Sequence, residues 1–185
     1  MFVAGLGAQA TWYNPVTWFD ESEHVCGGNR TVYGSAAFKN IICKNADIYG
    51  EFYAEHVTIH GKLSVTGAAA IKHSVIKRSA SIQGSLEAVD VTFNETVKVL
   101  GALTAQKVNF TKTLTLTGSL DLENCTTTDI IIKNDKRSAD KIVLHGDTIV
   151  MGDITFESGQ GKVYVYDTAQ ITGKVIGGVV INSKI

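Results

Sequence analysis

Glycines stand at Gly50, Gly67, Gly84, Gly101 and Gly118, each 17 residues after the last, and Gly152 lies two further periods on. A short fixed period means that one structural unit stacks on copies of itself, and this excludes most globular folds. With glycine as position 1, position 3 reads Phe52, Ala69, Leu86, Leu103, Leu120 and position 5 reads Ala54, Ile71, Ala88, Ala105, Leu122. Positions 8 and 10 read Val57/Ile59, Ser74/Ile76, Val91/Phe93, Val108/Phe110 and Cys125/Thr127. Positions 14 and 16 read Leu63/Val65, Ala80/Ile82, Val97/Val99, Leu114/Leu116 and Ile131/Lys133. Apolar residues at i and i+2 are strand periodicity, with both side chains on one face. A chain with three such pairs per unit turns three times and returns above its own start.

This pattern predicts an all-β, single-stranded parallel β-helix of about nine 17-residue rungs over residues 33–185. At about 4.8 Å per rung the rod is roughly 40 Å long. No helical i, i+3, i+4 stripe survives across a unit, and the single proline leaves the strands unbroken. A left-handed hexapeptide helix places one aliphatic residue in every six, which fits the paired spacing less well, so a right-handed coil is expected. Two places break the grid. "DKRSAD" puts Arg137 where an inward leucine belongs, and "SGQG" at 158–161 delays Val163 and Val165. Both read as loops.

Residues 1–32 fall outside the repeat and form a separate N-terminal segment. An open solenoid end exposes core and unpaired strand edges, so Trp12, Tyr13, Trp18 and Phe19 are expected to act as a cap. A second reading takes "VAGLGAQA" as the tail of a signal peptide, although no basic stretch precedes it. Cys26 and Cys43 either pair, tying the cap to the first rung in an oxidising compartment, or remain free thiols. Cys125 occupies an inward position and reads as a small core residue.

A net charge of −1 gives no bulk attraction to polyanions, and no apolar run is long enough to cross a bilayer as a helix. No phosphate loop, nucleophile elbow or HExxH motif is present. His56 and His73 share position 7, and His60 and His145 share position 11, but no third ligand completes a metal set by spacing. No cofactor is expected. Glu87, Asp90, Asp121 and Glu123 place acids near one face, as in a polysaccharide-cleaving site, yet short corners leave little loop from which to build a groove. No catalytic residue is assigned and the chain is expected not to be an enzyme.

Positions 13 and 15 form an outward face on which Thr113 and Thr115 give way to Ile130 and Ile132, followed by Ile149, Tyr164 and Tyr166. Those five residues are the expected interaction surface, either for a partner or for the chain's own N-terminal aromatics.

The unit Gly-x-Leu-x-Ala-x-x-Val-x-Phe, seen in "GSLEAVDVTF" and "GALTAQKVNF" and echoed by "GEFYAEHVTI", resembles the repeat of the bactofilins, polymer-forming cytoskeletal proteins of bacteria. The resemblance covers most of residues 34–157, and "ITGKVIGG" is similar. It implies a right-handed β-helix that polymerises end to end without nucleotide, cytoplasmic and membrane-associated, as a scaffold for envelope machinery. The aromatic N-terminal segment departs from the short tails usual in that family. The alternative is an exported envelope or surface module, periplasmic or on the cell surface, that binds a glycan or protein along its flank.

Overall fold

The computed structural model describes residues 17–19, 25–134 and 140–183. Among them all regular structure is β-strand, and the paired strands are parallel. They stack as a β-solenoid of about nine turns with three faces. The first face runs through Ala36–Lys39, Phe52–Glu55, Leu103–Gln106, Leu120–Glu123, Lys141–His145, Gly161–Tyr166 and Gly178–Ser183, with the leading halves of Ala69–Ile76 and Leu86–Phe93 between them. The second face includes Thr58–Ile59, Asn109–Phe110, Thr126–Thr127 and Ile149–Val150. The third includes Leu63–Val65, Val97–Val99, Leu114–Leu116, Ile130–Ile132 and Ile154–Phe156.

From Phe52 to Leu122 the ladder follows the 17-residue grid residue for residue. Inward positions 3, 5, 8, 10, 14 and 16 fill one continuous core, in which the Phe93 and Phe110 rings stack at 5.3 Å and Phe38 meets Phe52 edge-on at 5.2 Å. A rung has no second layer of its own, so its apolar face is covered only by the other two faces and by the rungs above and below.

The glycine column has a different cause from the tight-corner freedom that its spacing suggests. Gly50, Gly67, Gly84, Gly101 and Gly118 do not occupy the left-handed region. Instead, a Cβ on any of the five would lie 2.4–2.7 Å from the carbonyl oxygen of the glycine one rung below. They are glycines because backbone stacks on backbone. The left-handed residue is at position 7, where His56, His73, Asp90, Lys107 and Asn124 all have φ between 47° and 55°. Gly152 does not continue the column. It follows Val150 at the corner between the second and third faces, where a Cβ would meet Asp129.

The grid slips after Thr127. Phe110 to Leu114 takes four residues, but their partners Thr127 and Ile130 are three apart. The deletion falls in a corner, and a one-residue shift moves each following side chain to the opposite face. Ile130 and Ile132 are therefore core residues at 0% exposure, paired with Leu114 and Leu116, and Ile131 takes the outward place. Ile142 then follows Ile132 by ten positions, against four from Leu116 to Leu120, so the "DKRSAD" stretch is an insertion between the third and first faces. Its residues 135–139 lie outside the described chain. The "SGQG" stretch is a second, shorter insertion at the same corner, and Val163 beyond it rejoins the core opposite Ile142.

Strand pairing also begins earlier than residue 33. Thr17–Phe19 pairs with Ala36, Ala37 and Phe38, and Val25–Tyr33 pairs with Ile42–Tyr49. The 17-residue grid misses this turn because the step from Thr17 to Ala36 is 19 residues and the second ladder shifts register between Cys26 and Asn29. Trp18 and Phe19 thus lie in a strand of the solenoid, whereas Trp12 and Tyr13 lie outside the described residues. Cys43 is disulfide-bonded, which closes the free-thiol alternative for it, and the ladder sets the backbone of Cys26 opposite its own.

Candidate functional site

Corners bring the chemistry-bearing side chains to the surface, and most of them are occupied in finishing the backbone. A left-handed residue leaves the next N–H pointing along the rod, and a small polar residue one rung up accepts it. The Val57 N–H donates to Ser74 Oγ at 2.9 Å, the Val108 N–H to Cys125 Sγ at 3.4 Å and the Cys125 N–H to Thr148 Oγ1 at 3.2 Å. Ser74 Oγ in turn donates to the Lys72 carbonyl at 2.6 Å, and Thr148 Oγ1 to that of His145 at 2.6 Å. Burial pushes the Cys125 thiol up to about 11. It stays protonated at neutral pH and is not a nucleophile there. These three buried polar residues were not predicted as a set. For Ser74 and Cys125 the signal available was a small polar residue directly after position 7, whereas Thr148 follows the left-handed Gly146 by two residues.

At the next corner the carboxylates and amides cap in the opposite direction. The Lys62 N–H donates to Asn45 Oδ1 at 2.7 Å, the Asp153 N–H to Asp129 Oδ1 at 2.9 Å and the Lys174 N–H to Asp153 Oδ1 at 2.7 Å.

The histidines separate into different columns. His56 and His73 stack as expected, with ring centroids 5.0 Å apart, and His73 Nδ1 lies 2.9 Å from Asp90 Oδ2. Asp90 is thereby a corner residue rather than part of the acidic face. His60 Nδ1 accepts from Lys77 Nζ at 3.3 Å. His145 does not share the His60 column, because the earlier slip and insertion move it to the first face between Glu123 and Tyr166. Among the described residues no group of three or more metal-ligating side chains converges.

The first face carries a shallow trough on its outer surface. One central column reads Tyr53, Ala70, Glu87, Thr104, Asp121, Val143, Tyr164 along successive rungs. Small residues beside it, Ala68, Ser85 and Ala102, leave a concavity of about 520 Å³ bounded by Tyr53. It continues into a second concavity of about 550 Å³ that reaches Asp121, Glu123, His145 and Asp167, and the two share Glu87 and Thr104. Tyr53, 38% exposed, stands one rung inside the Ser35 end. At the other, His145 stacks on Tyr166 at 4.9 Å, with its Nε2 3.7 Å from Asp121 Oδ1. The Lys141 ammonium sits 5.2 Å from the Tyr164 ring centre. A groove therefore exists without loops to build it, since small side chains within the face itself form the depression.

The five residues expected to make one interaction surface do not share a face. Ile130 and Ile132 are core, Ile149 is 39% exposed on the second face, and Tyr164 and Tyr166 are half-buried on the first.

A further concave feature lies at the C-terminal rung. Val163 is fully buried, but its partner one rung on, Val180, is 44% exposed. Val180 lines a cavity of about 470 Å³ with Val165, Ile171 and Val175. Among the described residues no strand pairs with the outer edge of Gly178–Ser183. Comparison of the chain with protein-family models, curated proteins and solved structures finds no match.

Proposed function

We propose that this chain is a non-enzymatic structural scaffold, bactofilin-like in its repeat, that self-associates through an end of the β-helix. The observation that carries this reading is the C-terminal rung. Val165, Ile171, Val175 and Val180 are the inward positions of a core that continues below them, and they line an open cavity. The outer edge of Gly178–Ser183, unpaired among the described residues, adds a row of backbone donors and acceptors to that apolar surface. A second copy stacked on that rung would cover its apolar residues and pair with its edge. The Ile130 and Ile132 pair has no part in the contact, because those residues lie inside the rod. Sedimentation and negative-stain electron microscopy test the reading. The native chain should form species larger than 19.9 kDa, and Val180→Lys should return it to monomer with its β-sheet circular dichroism intact. A native chain that is monomeric at all concentrations overturns the proposal.

One observation favours the second reading, an exported envelope or surface module. Cys43 is disulfide-bonded, and disulfides persist in oxidising compartments. Alkylation of thiols in rapidly quenched cells distinguishes the two: a modified Cys43 places the chain in a reducing compartment.

A further inference from the structure

We infer that the trough on the first face binds an extended oligosaccharide that is uncharged or carries amines. This inference is independent of how the rod ends associate.

The trough has the parts such a ligand requires. It is long and continuous, because the two concavities share Glu87 and Thr104. From the Tyr53 rung to the Tyr164 rung is six steps of the ladder, or roughly 29 Å. Each concavity has a ring in its lining, Tyr53 in the first and His145, which stacks on Tyr166, in the second. An aromatic ring offers an apolar face for the C–H side of a sugar, and a carboxylate between such rings accepts hydrogen bonds from its hydroxyls. Glu87, two rungs from Tyr53 and shared by both concavities, is exposed, and its side chain has no hydrogen bond or ion pair among the described residues.

Charge selects within that class. The lining of the two concavities includes the carboxylates Glu51, Glu87, Asp121, Glu123 and Asp167 and no lysine or arginine. A sulfated, phosphorylated or uronic acid chain lying in the two concavities would meet like charge at each of these five carboxylates. An extended peptide is disfavoured for another reason. The strand N–H and C=O groups of the first face are used between rungs, so the trough presents side chains and offers no edge for strand addition. The rigidity of the stacked ladder holds the platforms in place before any ligand arrives.

Titration calorimetry on the full chain tests this with cellohexaose, chitohexaose and the chitosan hexamer as probes, and with polygalacturonate and hexalysine as controls. At least one of the three saccharides should bind saturably, and polygalacturonate should not. Tyr53→Ala and Glu87→Gln should each weaken binding by about tenfold or more, the equivalent of losing one good polar or stacking contact. Both positions are exposed, so thermal melts should remain those of the native chain. The proposal is overturned if none of the three saccharides binds, if hexalysine alone binds, or if the affinity is unchanged in both variants.

Discussion

Thr127 is a hydroxyl in a column that is otherwise hydrocarbon from Ile59 to Val150. It lies between Phe110 and Val150 at 0% exposure, and its Oγ1 has no hydrogen-bond partner. Ser74 and Thr148, also buried, differ in that each both accepts from and donates to backbone. A buried polar atom without a partner costs about 1–3 kcal/mol. Thr127→Val keeps the shape and removes that cost, so chemical denaturation should show a gain on the order of 1 kcal/mol. A loss of stability would mean that the hydroxyl is satisfied. Residue type alone did not separate these cases. Ser74, Cys125 and Thr127 all interrupt apolar columns in the sequence, and only the left-handed residue before position 8 explains why the first two are welcome and the third is not.

At the scale of the element, the strands of the regular rungs were legible because their period is carried by side-chain identity. What sits between them was not, because corners obey backbone geometry. The glycine column shows this. Its spacing is plain in the sequence, but its cause is the approach of one corner to the next, with a Cβ on Gly84 placed 2.5 Å from the Gly67 oxygen. Since the obstructing atom is backbone, relief requires the rungs to part. Gly84→Ala should therefore destabilise by roughly 1–3 kcal/mol, the range of an overpacked core, and a melt unchanged from the native chain would count against the close stack. The slip after Thr127 was hidden for a related reason. Three isoleucines in a row, Ile130 to Ile132, look alike on either face, so pattern alone could not decide which two point inward. The trough was likewise half visible. Glu87, Asp121 and Glu123 were recognised, but Glu51 and Asp167 were not, Asp90 belongs to a corner instead, and His145, Tyr164 and Tyr166 join the face only through the register beyond the insertion.

The whole molecule is close to one-dimensional: each turn contacts mainly the turns beside it, and stability accumulates from neighbour to neighbour. Central rungs are covered on both sides, while the last inward residues, Val175 and Val180, are not. Local opening should accordingly start at the C-terminal end. Hydrogen exchange on the Val180→Lys variant, chosen to keep the C-terminal rung uncovered, should show the slowest amides in Leu86–Phe93 and Leu114–Leu116 and the fastest in Gly178–Ser183. Equal protection along the rod would indicate a single cooperative block instead.

The corner bonds have one more consequence. Ser74 completes the rung below it, and so do Cys125 and Thr148, while Asn45, Asp129 and Asp153 complete the rung above. Each of these couplings belongs to a specific pair of turns. Excising the turn that contains Ser74 would leave the geometry continuous yet set Val91 over the Val57 N–H, a residue that cannot receive it. The turns are alike in outline but not exchangeable, so a family built on this plan can lengthen or shorten freely only where the junctions happen to be mute.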